Sequence, residues 1–176
     1  SNFNGAQKYL VNRIKISEEF LSGQLSNEFI NQILLTYGFT GIDSNYKSLV
    51  STGAIEFIND KLLIKELTSY YEINYSTLKD LSEQYKHFYL EIFDFMMSKY
   101  PIDSMNKITL VDDLLEEGDQ NFRYNKKILL KLNKDFEFKN HVYSLKRIVI
   151  VYIRFYQQAI QRNKKLAILI ENELNN

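Results

Sequence analysis

Two runs of the chain, Lys61 to Lys99 and Asp135 to Leu174, contain neither proline nor glycine, and in each the apolar residues recur at alternating steps of three and four. Proline removes a helical hydrogen bond and glycine adds backbone entropy, so their absence together with a 3.6-residue period predicts two long amphipathic helices. The first seam reads Ile64, Leu67, Tyr71, Asn74, Leu78, Leu81, Tyr85, Phe88, Ile92 and Phe95, apolar or aromatic everywhere except at Asn74. The second reads Val142, Leu145, Val149, Tyr152, Tyr156, Ala159, Asn163, Leu166, Ile170 and Glu173. Its β-branched stretch from Ile148 to Ile153 would suit a buried strand, but the period continues on both sides without a turn residue, so it is assigned to the helix. At 1.5 Å per residue each helix is about 55 to 60 Å long, enough to pair along most of its length. Antiparallel packing with the seam ends aligned sets Asn74 opposite Asn163 and Ile64 opposite Glu173. A buried Asn pair would fix that register at some cost in stability; the alternative is that each Asn faces water or a loop.

The remainder reads as shorter elements. Residues 3–23 form a helix with Phe3, Leu10, Ile14 and Leu21 on one stripe, closed by Gly23. Ser26 or Asn27 caps a second, with Ile30, Ile33, Leu34 and Tyr37 on its apolar face before Gly38 and the turn at Gly41 stop it. Ser44 opens a third that carries Tyr46, Leu49 and Val50 and stops at Gly53, and the piece from Ala54 to Ile58 is too short to classify. Asn59-Asp60 is the cap signal of the first long helix, and Tyr100-Pro101 ends it, because the residue before proline is pushed out of the helical region. Residues 101–119 are irregular, a short helix with Phe122, Ile128, Leu129 and Leu132 spans about Asp119 to Asn133, and Asp135 opens the second long helix. The expected fold class is all-α: a helical bundle organised around two long antiparallel helices, with short helices at the N-terminal corner. Residues 3–176 make a single helical domain with one core, a chain this size burying about 70% of its unfolded surface. Ser1-Asn2 has the look of a pair left by tag cleavage and is kept out of the fold.

Composition narrows function by exclusion. Lys plus Arg and Asp plus Glu number 22 each, so no net field draws in nucleic acid, and no nucleic-acid partner is expected. Without cysteine there are no disulfides, no thiolate catalysis and no Cys-based zinc sites, although this is silent on compartment. The longest apolar run, Ile148 to Ile153, falls far short of the roughly 18 to 20 residues of a membrane helix. Thirteen Tyr and twelve Phe supply flat rings, most of which lie on the seams and are assigned to the core rather than to a ligand groove.

Few constellations offer chemistry. Glu83, His87 and Glu91 share a helix face at i, i+4 and i+8, but the second histidine, His141, has Glu137 four residues before it rather than the three of a di-iron bundle, so the group reads as a solvated charged face. The acidic run Asp112-Asp113-Leu-Leu-Glu116-Glu117-Gly-Asp119 lacks the alternating oxygen ligands of a calcium loop. Lys126, Lys127, Lys131, Lys134, Lys139, Lys146 and Arg147 are interrupted by Asp135 and Glu137 and read as helix surface. Phosphate loops, nucleophile elbows and His-Glu metalloprotease pairs do not occur. No catalytic, cofactor-binding or metal-ligating residue is therefore expected, no cofactor, and no enzymatic activity.

One stretch, Tyr46-Lys-Ser-Leu49-Val-Ser-Thr-Gly53-Ala-Ile-Glu-Phe-Ile58-Asn-Asp60-Lys-Leu-Leu63-Ile-Lys-Glu-Leu67-Thr-Ser-Tyr70-Tyr71-Glu72, combines a Tyr-x-x-Leu-x-x-x-Gly step with an Asp-capped helix ending in a Tyr pair. It resembles a family of uncharacterised bacterial proteins that carries only a domain-of-unknown-function label, and the closing helix through Leu166, Leu169, Ile170, Glu173 and Leu174 is similar to that family's last helix. The resemblance covers about half the chain. It implies a single-span membrane protein with a basic N-terminal segment, a transmembrane helix absent from this chain, and then a helical domain placed outside the cytoplasm, in the periplasm. It brings no known activity and no functional residue. The motif itself reads as a folding corner, in which Gly53 closes one helix, Asp60 opens the next, and Tyr46, Leu49, Ile58, Leu63 and Leu67 pin the angle between them. The expected function is non-enzymatic, either sensing a small ligand or binding a protein. The alternatives are an assembly module that dimerises through its seams, and a hydrolase or metalloenzyme.

Overall fold

Two aspartates start the long helices. Asp60 Oδ1 accepts the N–H groups of Leu62 at 2.7 Å and Leu63 at 3.3 Å, and Asp135 Oδ1 accepts those of Glu137 at 3.0 Å and Phe138 at 3.1 Å. Each carboxylate satisfies donors that the first helical turn leaves without an intrahelical partner. The computed structural model describes residues 2–26, 29, 32, 33, 38, 39, 41–100 and 126–175. Its elements are α1 (Asn2–Leu21), α2 (Ser44–Ser51), a 3-10 turn (Ala54–Phe57), α3 (Lys61–Thr68), a π-helix (Ser69–Tyr75), α4 (Ser76–Lys99), α5 (Lys126–Lys134) and α6 (Phe136–Leu174). No strand occurs among the described residues, and the fold is all-α. Tyr100, at φ −133° and ψ 74°, leaves the helical region just before Pro101.

The first long helix is one rod in three parts, because α3, the π-helix and α4 follow one another without a break. It runs antiparallel to α6: Glu66 meets Lys165 at 2.6 Å near one end, and Lys99 meets Glu137 at 2.8 Å near the other. α6 is the central element, with α1 along one side and α4 along another. Phe138, Val142, Leu145, Val149, Tyr152, Tyr156 and Ala159 of α6 are buried, as are Leu78, Leu81, Tyr85, Ile92 and Phe95 of α4, so the two seams are spent on each other inside one chain.

The π-helix changes the register that the seams alone suggest. A π turn holds one more residue than an α turn, so the buried stripe slips by a position as it passes through. On the α4 side Tyr85 faces Tyr152, ring centroids 6.2 Å apart, which is the aligned pairing. On the α3 side Glu66 pairs with Lys165, and Ser69 Oγ bonds Arg162. Leu63 and Tyr70 are buried where the α spacing places Ile64 and Tyr71, both of which are half-buried. The expected Asn pair does not form: Asn74 is 2% exposed while Asn163 is exposed to solvent. Ile64 likewise does not take Glu173, which instead accepts the Asn59 N–H at 2.7 Å.

Other departures have local causes. The buried face of α1 is Ala6, Leu10, Arg13, Ile16, Ser17 and Phe20, with Ile14 and Leu21 at its edge, because two polar residues lie on the inward side and hydrophobicity alone rotates the stripe. Gly23, at φ +94°, does close α1, and across it the Gln24 N–H reaches the Glu19 carbonyl at 2.9 Å. Ser26, one of the two proposed caps, accepts the Phe29 N–H at 3.3 Å. Asn27, Ile30, Leu34, Tyr37, Phe122 and the stretch from Pro101 to Asn125 lie outside the described residues. Asp43, not Ser44, precedes α2, and its carboxylate pairs with Lys47 at 2.7 Å instead of capping the helix. The piece after Gly53 is the 3-10 turn. Gly53 has φ +72°, and a Cβ built there meets nothing within 4 Å, so a substitution there is opposed by the backbone alone. Gly53→Val should lower unfolding free energy by about 1 kcal/mol or more, read from the urea midpoint. An unmoved midpoint would contradict the left-handed conformation.

Candidate functional site

The corner that the Tyr46–Tyr71 motif builds is not filled. A cleft of about 350 Å³ opens where α2, the residues after the 3-10 turn, α3, the π-helix and the last turns of α6 converge. Tyr46 and Leu49 come from α2, Ile58 follows the 3-10 turn, Leu63 and Leu67 come from α3, Tyr71 from the π-helix, and Ile170 and Leu174 from α6. Asn45 and Glu173 are the polar lining residues. One wall is an aromatic ladder: Tyr46 stacks on Tyr71 at 4.3 Å, and Tyr71 meets Tyr70 edge-on at 5.0 Å. Burial pushes the Tyr46 phenol above its ordinary value, while a hydrogen bond with Thr68 pulls the other way. Leu174 lines the cleft while 80% exposed, and Glu173 is held at the rim by the Asn59 N–H. The arrangement can bind apolar surface and offers the Glu173 carboxylate at its edge, while the Tyr46 phenol is hydrogen-bonded with Thr68 and Glu72.

The residues singled out for chemistry are arranged differently from their spacing. His87 lies 3.2 Å from Glu91 on α4, and His141 of α6 reaches the other oxygen of the same carboxylate at 3.6 Å, so Glu91 bridges two imidazoles across the helix pair. Glu83 takes no part in this bridge. Glu137, the other neighbour considered for His141, pairs with Lys99 instead. Among the described residues no group of three or more His, Cys, Asp or Glu is placed to hold a metal ion. The acidic run at 112–119 lies outside the described residues. From the basic stretch, Lys146 pairs with Glu18 of α1 at 3.2 Å and acts as a helix-to-helix tie.

Two features escaped the sequence. Ile170 and Leu174 line the cleft, although Ile170 reads on the seam as ordinary core and Leu174 only as the end of the closing helix; their position near the end of α6, opposite a short-helix corner, was the available signal. Arg13 is 1% exposed, with its guanidinium 5.2 Å from the Tyr9 ring and 5.3 Å from the Tyr85 ring. Burial pushes it down to about 10, opposed by Tyr9 and Tyr89.

No family model matches the chain, and neither does any curated protein or solved structure. No helix among the described residues is long and apolar enough to cross a membrane.

Proposed function

We propose that this is a non-enzymatic sensing domain which takes a small, largely apolar ligand in the corner cleft, and that a membrane anchor holds it outside the cytoplasm, in the periplasm. The cleft is the observation that carries the ligand. Its volume of about 350 Å³ falls in the range of small-molecule sites, roughly 300 to 1,000 Å³, and its walls are aliphatic and aromatic. A protein partner would need a far broader contact, on the order of 800 Å² per side. The similarity of residues 46–72 and of the closing helix to the single-span family supports the anchor.

Titration with an uncharged fluorescent naphthylamine tests the site. Saturable binding is expected, and Leu49→Asp, which sets a charge on an apolar wall, should weaken it by about tenfold or more, or roughly 1.4 kcal/mol. Equal binding by the variant, or none by the natural sequence, would remove the cleft as a site. The anchor is tested by the reading frame: an upstream basic segment followed by about 18 to 20 apolar residues supports it, and a natural start at this point removes it.

A further inference from the structure

The π-helix sits in the wall of the cleft, and the sequence around it satisfies two helix registers equally well. In the observed register Leu63 and Tyr70 are buried; in an unbroken α-helix the same face would carry Ile64 and Tyr71. Leu63 and Tyr70 thus each have an apolar neighbour ready to replace them, and Leu67 gives way to the uncharged Thr68, so neither register strands a charge in the core. π turns are rare and cluster at functional sites, and this one spans seven residues, Ser69–Tyr75. Within it Asn74 is 2% exposed, and its side-chain carbonyl accepts no hydrogen bond from any described residue. An unmatched buried acceptor is a standing cost that a lone optimised fold would remove.

From this we infer that the π-helix is a register switch coupled to the cleft. Drawing the extra residue out of the π-helix turns α3 by about 100° relative to α4, the rotation of one residue in an α-helix. Leu63 then leaves the cleft wall, Ile64 replaces it on the core face, and the contacts Glu66–Lys165 and Ser69–Arg162 break. A ligand touching Leu63, Leu67 and Tyr71 meets different surfaces in the two registers, which is the differential interaction a ligand needs in order to shift an equilibrium. Occupancy holds the π register; an empty cleft releases it. The inference rests on the cleft being a ligand site.

The chain has no cysteine, so paired spin labels can be introduced cleanly. Labels at Lys61→Cys and Lys164→Cys, both exposed and outside the cleft lining, report α3 against α6, and a rotation of this size moves the α3 label by several ångström on a helix about 10 to 12 Å across. A second pair at Lys86→Cys and Arg154→Cys, beyond the π-helix, serves as the fixed reference. Without ligand the first pair should give two distance populations that collapse to one on adding the naphthylamine, while the reference pair stays constant. Deleting Ile73 removes the extra residue and keeps Leu63 inward, so that variant should show only the bound distance and bind the probe as tightly or several-fold more tightly. A single population that the probe leaves unmoved, or a reference pair that moves equally, overturns the switch. Two populations in a protein that fails to bind the probe would keep the switch and discard the ligand site, so the two failures are distinguishable.

Discussion

Phe138→Ala should cost about 3 to 5 kcal/mol of unfolding free energy. Phe138 is 0% exposed in the first turn of α6, immediately after the Asp135 cap. Its ring meets Phe20 edge-on at 5.5 Å and Phe29 edge-on at 6.3 Å, and lies 5.5 Å from Phe95. It therefore joins α1, the segment after it, and α4 to the central helix at one point. Truncation removes the transfer energy of the ring and leaves a cavity that four elements must collapse into together, which close packing resists. Native domains are stable by only about 5 to 15 kcal/mol, so the variant should unfold at a much lower urea midpoint. Phe136, two residues earlier and 77% exposed, is the control, and Phe136→Ala should change stability by no more than about 0.5 kcal/mol. A Phe138→Ala loss under about 1 kcal/mol would mean that the ring cluster is not a shared core.

The elements legible in the sequence were those decided by local chemistry. Asp60 and Asp135 sit where a cap is needed, Pro101 forbids the helix to continue, and Gly23 and Gly53 mark positive φ; each signal acts over a few residues and needs no tertiary context. The π-helix was not legible because Leu63 and Ile64, and Tyr70 and Tyr71, fit either register, so the choice falls to partners far along the chain, Arg162 and Lys165. The Asn74–Asn163 pairing failed on the α6 side: Asn74 is buried, as its seam position requires, but Asn163 is exposed to solvent between the buried Ala159 and Leu166. The cleft was half legible. Tyr46, Leu49, Ile58, Leu63 and Leu67 were identified as one corner, but an apolar residue in a corner reads the same whether the space beside it is filled or open. Only the shape supplied by α6 distinguishes the two.

Arg13 was illegible because a charged residue scores as surface, and its burial carries the second large effect. Arg13→Ala removes a nearly fully buried side chain from between Tyr9 and Tyr85 and should lose about 2 to 5 kcal/mol, as other large-to-small core changes do. Arg13→Met keeps most of the volume and removes the charge. The fall of the guanidinium from its ordinary value to about 10 corresponds to roughly 3 kcal/mol against the charged form in the folded state. The two aromatic faces return on the order of 2 kcal/mol when desolvated. The near balance predicts that Arg13→Met is as stable as the natural protein at neutral pH, or more stable by up to about 1 kcal/mol, in line with apolar replacements of other buried charges. The sign with pH follows from the depressed folded value. Below about pH 10 the guanidinium is charged in both states and the penalty is fully present; above about pH 10 the unfolded chain holds the proton more tightly, so this group adds stability as pH rises. Tyr9 acts oppositely, since burial raises its phenol and folding loses stability through it above its ordinary value of 10. Stability of the two variants, compared from pH 7 to pH 11 by urea denaturation, separates volume from charge. If Arg13→Met falls as far as Arg13→Ala, the hydrogen bonding of the guanidinium with Tyr9 outweighs the cost of burying its charge, and the cation is what fixes α1 on α4.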